Sequence, residues 1–241
     1  LNIFYGANGA GKSSILEAIG FLSSGRSFRT VKLDLTVANN SDLFSLFALS
    51  NDEARIGLGY QKRTKQKSIR LNGEKLTALS HLSRLCPTQV LSPESYHLID
   101  SGPAERRKYL DWCLFHVKHS YHDTWKSYSN ILKQRNALLK SADTRNINEQ
   151  LPIWDEQLCL VANEVNSERV ELLRRLKLEL GEILKTLEVD FFDDLRISYY
   201  PGYTGELKQK LEESLEADRE TGYTRYGPHK ADLRIKIGTI L

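Results

Sequence analysis

A phosphate-binding motif near the start of the chain constrains this sequence more than any other feature. The motif fits the pattern G-x-x-x-x-G-K-[ST], and we call its residues the phosphate loop: Gly6, Ala7, Asn8, Gly9, Ala10, Gly11, Lys12 and Ser13. The apolar residues 1–5 precede it and predict a buried strand, and apolar residues at helical spacing follow it at Ile15, Leu16 and Ile19. Because a strand before the motif and a helix after it are the context that such a loop requires, these flanks support a nucleotide site.

The residue types of the phosphate loop explain how it would hold a nucleotide. Glycine at positions 6, 9 and 11 allows a tight turn in which successive N–H groups point at one anion. The following helix adds its unpaired N–H donors and the positive end of its dipole. Lys12 is placed to reach the β- and γ-phosphates, and the Ser13 hydroxyl is placed to bind Mg²⁺.

Composition and cysteine usage are typical of a globular protein of a reducing compartment. The 241 residues are 40% hydrophobic and 27% charged, and the formal net charge of +3 does not by itself demand a nucleic-acid partner. No apolar run approaches the roughly 20 residues needed to span a membrane, so we expect no membrane partner. Cys86, Cys113 and Cys159 lack the spacing of disulfide or metal sites, which favours a cytoplasmic location.

An antiparallel β meander is predicted after the loop helix. Short β-type runs cover residues 43–49, 54–60 and 68–71, and Asn72-Gly73 is a hairpin signal. Residues 76–85 predict a short helix, and residues 87–91 predict a short strand that ends at a Ser-Pro break. One connecting turn is basic and holds Lys62, Arg63, Lys65 and Lys67. Such a hairpin tip suits a phosphate backbone, or a solvated edge that resists strand-to-strand aggregation.

Two long helical regions follow, joined by a polar stretch. The first begins near Pro103 and runs to Leu139, and the second runs from about Pro152 to residue 189. They predict an antiparallel helical hairpin that forms an arm. Strands are predicted at residues 195–200 and after the turn at 224–231, with a helix at 206–218 between them.

This order of elements predicts an α/β fold. We expect a P-loop ABC-ATPase-type head with an antiparallel β subdomain and an inserted helical-hairpin arm. The predicted domains are an ATPase lobe at residues 1–100, the arm at 101–190, and an incomplete return to the ATPase lobe at 191–241.

Three classes of protein share such a phosphate loop. A small-molecule kinase would need an acceptor pocket and an Arg-rich lid, which the helical hairpin and the meander match poorly. An ABC-type ATPase head with a coiled-coil arm that acts on DNA fits both features. A structural chromosome ATPase of the SMC type would need a longer coiled coil than residues 103–189 supply.

Several short segments, in one order along the chain, resemble the RecF family of bacterial recombination-repair ATPases. The most specific are Leu-Lys-Gln-Arg-Asn at residues 132–136 and Gly-Pro-His-Lys-Ala-Asp-Leu at residues 227–233. The other matching segments are the phosphate loop with residues 16–19, and then residues 25–29, 92–94, 102–103, 106–107, 110–112 and 154–155. These segments span the whole chain.

The resemblance implies a protein of DNA repair, DNA replication and the SOS response. The family binds ATP and Mg²⁺, forms a homodimer around the nucleotide, and binds single-stranded and gapped double-stranded DNA. With RecR and RecO it helps to load RecA. The resemblance implies that the phosphate loop is the nucleotide site of the family and that Gln89 lies near the position of a superfamily Q-loop glutamine. Arg26 and Arg29 are further candidates for contact with the nucleotide.

The sequence departs from the family at its two ends. The family's signature motif and Walker B acids would follow residues 227–233, but this sequence ends at Leu241 before either, and the family's first strand would precede Leu1. It therefore contains no catalytic acid of that kind, and we expect no ATP hydrolysis by these 241 residues alone.

Basic residues of the predicted arm are further DNA-contact candidates. They are Arg106, Arg107, Lys108, Lys133 and Arg135. Ion pairs within one helix, or a solvated helix face, are the alternative explanation for all five.

Overall fold

The computed structural model describes residues 1–50, 53–76, 79–92, 95, 97–118, 120–141, 144–187 and 194–238. The chain divides into two compact units, residues 1–92 and residues 93–241, and each has a hydrophobic core made of its own residues. Both units combine helices with an antiparallel sheet, so the α/β class predicted from the sequence is confirmed. Within the described part of the chain, every helix is too short or too polar to cross a membrane.

The first unit packs a helix against a four-stranded meander. Its elements are α1 (Lys12–Ser24), β1 (Leu43–Leu49), β2 (Arg55–Gln61), β3 (Gln66–Leu71), β4 (Glu74–Lys75) and α2 (Ser80–Leu85). The strands pair in sequence order and antiparallel, as the alternating runs predicted. Alternate side chains of β2 and β3 point inward, and Ile56, Leu58 and Ile69 bury there against Phe21 of α1 and Leu82 of α2. This packing fixes the helix that leaves the phosphate loop.

Two strands predicted for this unit are wrong. Residues 1–5 and 87–91 have no strand structure, and the side chains of Leu1, Ile3 and Tyr5 are exposed. A strand forms only where neighbouring backbone satisfies its N–H and C=O groups, and no described residue pairs with either segment. The local sequence of a segment therefore does not suffice to predict a strand. In the segment 92–94, residues 93 and 94 lie outside the described residues.

The second unit is mainly helical. Its elements are α3 (His97–Asp100), α4 (Pro103–Val117), α5 (Tyr121–Leu139), α6 (Thr144–Thr186), β5 (Leu195–Tyr200), α7 (Leu207–Glu213), α8 (Leu215–Thr221) and β6 (Asp232–Ile237). The helices α5 and α6 pack along each other across a short connection and form the predicted hairpin. Both strands predicted for this region are present, as β5 and β6, and they pair antiparallel.

The helix limits differ from the prediction in several places. The single helix predicted at residues 206–218 is two helices, α7 and α8, which meet at Ser214. The first helical region consists of two helices, because α4 ends at Val117 and α5 begins at Tyr121. The helix α6 starts well before Pro152, which lies inside it. Leu151, just before this proline, is buried against Leu139 of α5. This packing stabilises the helix at a position where a proline would otherwise end it.

The unit boundary also differs from the predicted domains. It falls at residue 92 and not near residue 100, and residues 194–238 join the helices in one unit. Leu211 and Leu233 share a buried cluster with Leu158 and Val165 of α6. The predicted arm and the predicted return to the ATPase lobe therefore have a common core.

Candidate nucleotide-binding site

Glycines bend the phosphate loop into the start of α1. Gly9 and Gly11 have φ values of 84° and 88°, which lie in the left-handed region that glycine adopts without strain. The N–H of Ala10 donates to the carbonyl of Ala7 at 3.2 Å, which closes a tight turn. The Gly11 carbonyl then accepts the N–H of Ser14 at 3.0 Å and begins the helix.

Several backbone donors of the loop remain unused. Among the described residues, no acceptor pairs with the N–H groups of Gly9, Gly11, Lys12 or Ser13. The last two open α1, where helix geometry leaves N–H groups without an internal partner. A row of free N–H groups at a helix N-terminus is an anion-binding arrangement.

Lys12 is folded over this row of donors. Its ammonium donates to the carbonyls of Gly6 and Ala7, each at 2.8 Å. An ammonium has three N–H donors, so one is left for an oxygen of a bound phosphate. The neighbouring Ser13 side chain is exposed, and its hydroxyl is free among the described residues. The residues present therefore fit a phosphate chain with a cation beside Ser13.

A buried carboxylate on α1 was missed from the sequence. Glu17 lies one turn after Ser13, accepts a hydrogen bond from the Ser27 hydroxyl, and pairs with Arg29 at 3.4 Å. The Ser27 hydroxyl also accepts the N–H of Arg29 at 3.0 Å. Glu17 thus fixes the polar segment that carries Arg29, while Arg26 is exposed. Its spacing of four residues from Ser13 was the available signal.

The basic hairpin tip joins β2 to β3, as predicted. The turn itself carries Lys62, Arg63 and Lys65, whereas Lys67, predicted for the same turn, is the second residue of β3. The side chain of Arg63 pairs with Asp42 at 3.0 Å, and Lys65 pairs with Asp34. Lys67 donates to a main-chain carbonyl of the same unit at 3.0 Å. Since the two acid pairs are exposed, they are weak and give no strong competition to a phosphate, and DNA contact at the tip stays a prediction.

The basic residues of α4 serve the second unit itself. Arg106 pairs with Asp232 at 2.8 Å, and Arg107 donates to a main-chain carbonyl of the turn before β6 at 2.7 Å. Lys108 pairs with a glutamate one turn earlier in α4. Of these three residues, Lys108 alone forms an ion pair within its own helix, which was the alternative to DNA contact. Arg106 and Arg107 bind groups outside α4.

Arg135 of α5 is wholly buried, and no feature of the sequence indicates this burial. It pairs with Asp155 at 2.6 Å and with Asp218 at 2.8 Å, and Asp218 is also fully buried. A buried guanidinium between two carboxylates cannot reach DNA, so this candidate is wrong. Lys133 on the same helix is exposed.

Gln89 lies in the irregular segment that follows α2. Its side chain is exposed, and no hydrogen bond joins it to the phosphate loop among the described residues. Its role as a Q-loop glutamine stays a prediction.

The two most specific segments of the resemblance are partners of each other in the second unit. Asn136, in residues 132–136, accepts the N–H and the hydroxyl of Thr224 at 2.9 and 2.7 Å. The Thr224 carbonyl accepts the Nε2–H of His229, in residues 227–233, at 2.9 Å. These segments therefore fix the turn before β6 to α5.

A family model described as "AAA domain, putative AbiEii toxin, Type IV TA system" matches residues 1–85, which include the phosphate loop and the meander. Over the whole chain the sequence is similar to curated proteins described as DNA replication and repair protein RecF. The relative from Shewanella woodyi is 39% identical over 100% of this chain, and that from Pseudoalteromonas translucida is 37% identical over 98% of it.

Solved structures give the same result. The chain is similar to a structure of the recombination mediator protein RecF-ATP in the RecFOR pathway, with a TM-score of 0.78 and 32% identity over 97% of this chain. A second RecF structure, with ATPrS, gives a TM-score of 0.72. The chain spans 66% of the length of these structures and of the curated relatives. The shared sequence, the matching fold and the phosphate loop together show that the chain belongs to the RecF family, whose curated members are described as DNA replication and repair proteins.

Proposed function

We propose that the phosphate loop of this chain binds ATP with Mg²⁺. The observation that carries the proposal is the row of free N–H groups at the start of α1, with the Lys12 ammonium held across it. The N–H groups would hold the β-phosphate, and the third N–H of Lys12 would reach a γ-phosphate oxygen. In the described part of the chain no three His, Cys, Asp or Glu side chains gather as a metal site, so Ser13 would share Mg²⁺ with phosphate oxygens.

For the whole protein we propose an ATP-gated role in DNA repair. The protein would act in the cytoplasm, form a homodimer around ATP, bind single-stranded or gapped DNA, and help RecR and RecO to load RecA. The family assignment supports this proposal over a small-molecule kinase and over a structural chromosome ATPase. The matched structure from the RecFOR pathway supports the link to RecO and RecR.

Nucleotide binding can be tested with a fluorescent ATP analogue and purified chain. We expect saturable, Mg²⁺-dependent binding that Lys12→Ala weakens at least tenfold, because a charge-assisted contact is worth roughly 1.5–3 kcal/mol. The matched control is Lys32→Ala, an exposed lysine of the same unit outside the loop. Equal binding by Lys12→Ala and wild type would contradict the proposal.

DNA contact at the hairpin tip needs a different measurement. We propose that Lys62, Arg63, Lys65 and Lys67 lie on a phosphate backbone. Charge reversal at these positions should then lower the slope of log affinity against log salt by roughly 0.7–0.9 for each lost contact. An unchanged slope would remove the tip from the DNA site.

A further inference from the structure

A groove in the second unit has no role in the proposal above. It lies between α5 and the turn that follows α8, and its volume is about 440 Å³. Its wall is mainly apolar and contains three aromatic rings, from Trp125, Tyr128 and Tyr223. It is far larger than one water molecule needs, so it can take part of a ligand.

The floor of the groove is rigid. The rings of Trp125 and Tyr128 stack with centroids 5.4 Å apart and planes at 25°. Tyr128 is fully buried, and its hydroxyl donates to Nδ1 of His229 at 2.7 Å. The other face of this arrangement is fixed too, because the guanidinium of Arg169 lies 5.1 Å from the Trp125 ring. A ligand would therefore meet a floor that needs no rearrangement.

The rim of the groove is cationic. Lys133 and Lys140 line it and are exposed, and no Asp or Glu is among the lining residues in the described part of the chain. The Lys140 ammonium lies 4.0 Å from the centroid of the Tyr223 ring, and that ring is 58% exposed. Lys133 is in α5, and Lys140 caps the C-terminal end of that helix with helical backbone angles. The two residues are seven positions apart, so they lie on one helix face with about 10 Å between their positions along the axis. That distance matches roughly three stacked nucleotides of one strand.

We propose that this groove binds a segment of single-stranded nucleic acid. A base would stack on the exposed ring of Tyr223 and against the edge of Trp125, and Lys133 and Lys140 would hold the flanking phosphates. Aromatic faces with a cationic rim are the arrangement that binds single strands without a sequence preference. An acidic peptide would use the same lysines but has no need of flat ring faces. This site rests on the proposed DNA-binding function and adds to it a place for an unpaired base.

The test is the affinity of the full 241-residue chain for a labelled oligothymidylate. We expect Tyr223→Ala to weaken binding about tenfold, as the loss of one base stack does. The double variant Lys133→Ala, Lys140→Ala should lower the salt slope by roughly 1.4. The control is Lys126→Ala with Lys208→Ala, which removes the same charge from exposed lysines outside the groove. Oligothymidylate should also quench tryptophan fluorescence in wild type, and less in Trp125→Phe.

Each other outcome contradicts the site in a distinct way. If groove and control variants bind the oligonucleotide equally, the groove is not the site, although DNA binding by the chain stands. If wild type binds neither single-stranded nor duplex DNA, the proposed DNA function fails together with the groove. If the groove variants lose affinity only for a synthetic acidic peptide, the groove is a peptide site. Thermal unfolding of every variant separates these results from loss of folding.

Discussion

Arginine side chains form two kinds of ion pair in this chain, buried pairs and exposed pairs, and the two kinds contribute differently to stability. Arg135 is wholly enclosed with Asp218 and Asp155, and it also donates to the hydroxyl of Thr224 at 2.9 Å. Arg174 pairs with Glu171 on the exposed face of α6. Removing one partner of a buried pair leaves an uncompensated charge in the core, whereas an exposed pair is largely replaced by water.

We therefore expect Arg135→Ala to lower the free energy of unfolding by about 3–5 kcal/mol. Arg174→Ala, the matched control, should change it by less than about 1 kcal/mol. Urea unfolding followed by circular dichroism measures both. Similar small losses in the two variants would mean that the buried cluster adds little stability.

His229 should make stability depend on pH. Its pKa is lowered from 6.5 to about 4, mainly by burial, so the folded protein holds a neutral ring. The hydrogen bond to the Thr224 carbonyl raises this pKa, and the nearby cations Lys230, Arg107 and Arg135 lower it. The unfolded chain binds a proton near pH 6.5 and the folded chain only near pH 4. Between these values the unfolded state holds more protons, so stability falls as pH falls, by at most about 1.4 kcal/mol per pH unit.

Unfolding free energies of wild type and His229→Asn between pH 4.5 and 6.5 measure this contribution. The wild-type slope should exceed the variant slope, because asparagine keeps a polar group without titrating. Carboxylates that titrate nearby, such as Asp155, affect both proteins alike. Parallel curves would show that folding does not change the pKa of His229, which would contradict the prediction.

At the residue scale the sequence predicted the turn of the phosphate loop better than it predicted which charged side chains are buried. The phosphate loop could be predicted because its chemistry needs particular residues at fixed spacing. Arg106, Arg107 and Arg135 could not be placed, because a buried arginine and a solvated one have the same sequence signal. Glu17 was also missed, because its partner Ser27 comes near it only in the folded chain.

Among the elements, local patterns predicted the paired strands and failed where packing decides. The limits of β1 and β5 match the prediction because half-buried and exposed residues alternate along most of each strand, and each strand has a partner. Residues 1–5 are also largely apolar, but neither they nor residues 87–91 have a partner strand among the described residues. The early start of α6 depends on the contact of Leu151 with Leu139, which no local rule reveals.

Replacing Pro152 distinguishes the predicted start of α6 from the observed one. Inside a helix, proline lacks an N–H donor and costs stability, so Pro152→Ala should stabilise the chain by about 1 kcal/mol. If α6 began at Pro152, proline would suit the first turn and the substitution would destabilise slightly. Urea unfolding and the helical circular dichroism signal measure this, with Gln157→Ala, an exposed change in the same helix, as control.

For the whole molecule, the cores of the two units decide what can fold alone. The second unit buries its main cluster entirely within residues 110–235. In the first unit, Ile15, Leu16 and Ile19 of α1 are exposed next to the phosphate loop, so part of its apolar surface stays in water. The boundary between the two units, after residue 92, could not be predicted from the sequence, because helices and strands alternate across it without a change in composition.

Residues 93–241, produced without the first unit, should therefore fold with a single cooperative thermal transition. Leu158 is fully buried in the main cluster beside Val165 and Leu211. Leu158→Ala should lower the unfolding free energy of this piece by about 2–5 kcal/mol, because it leaves a cavity. Leu160, two positions further along α6, is exposed and provides the control. Leu160→Ala should change the unfolding free energy by less than about 1 kcal/mol. A broad transition, or equal effects of the two substitutions, would show that the core of the second unit is not sufficient for its fold.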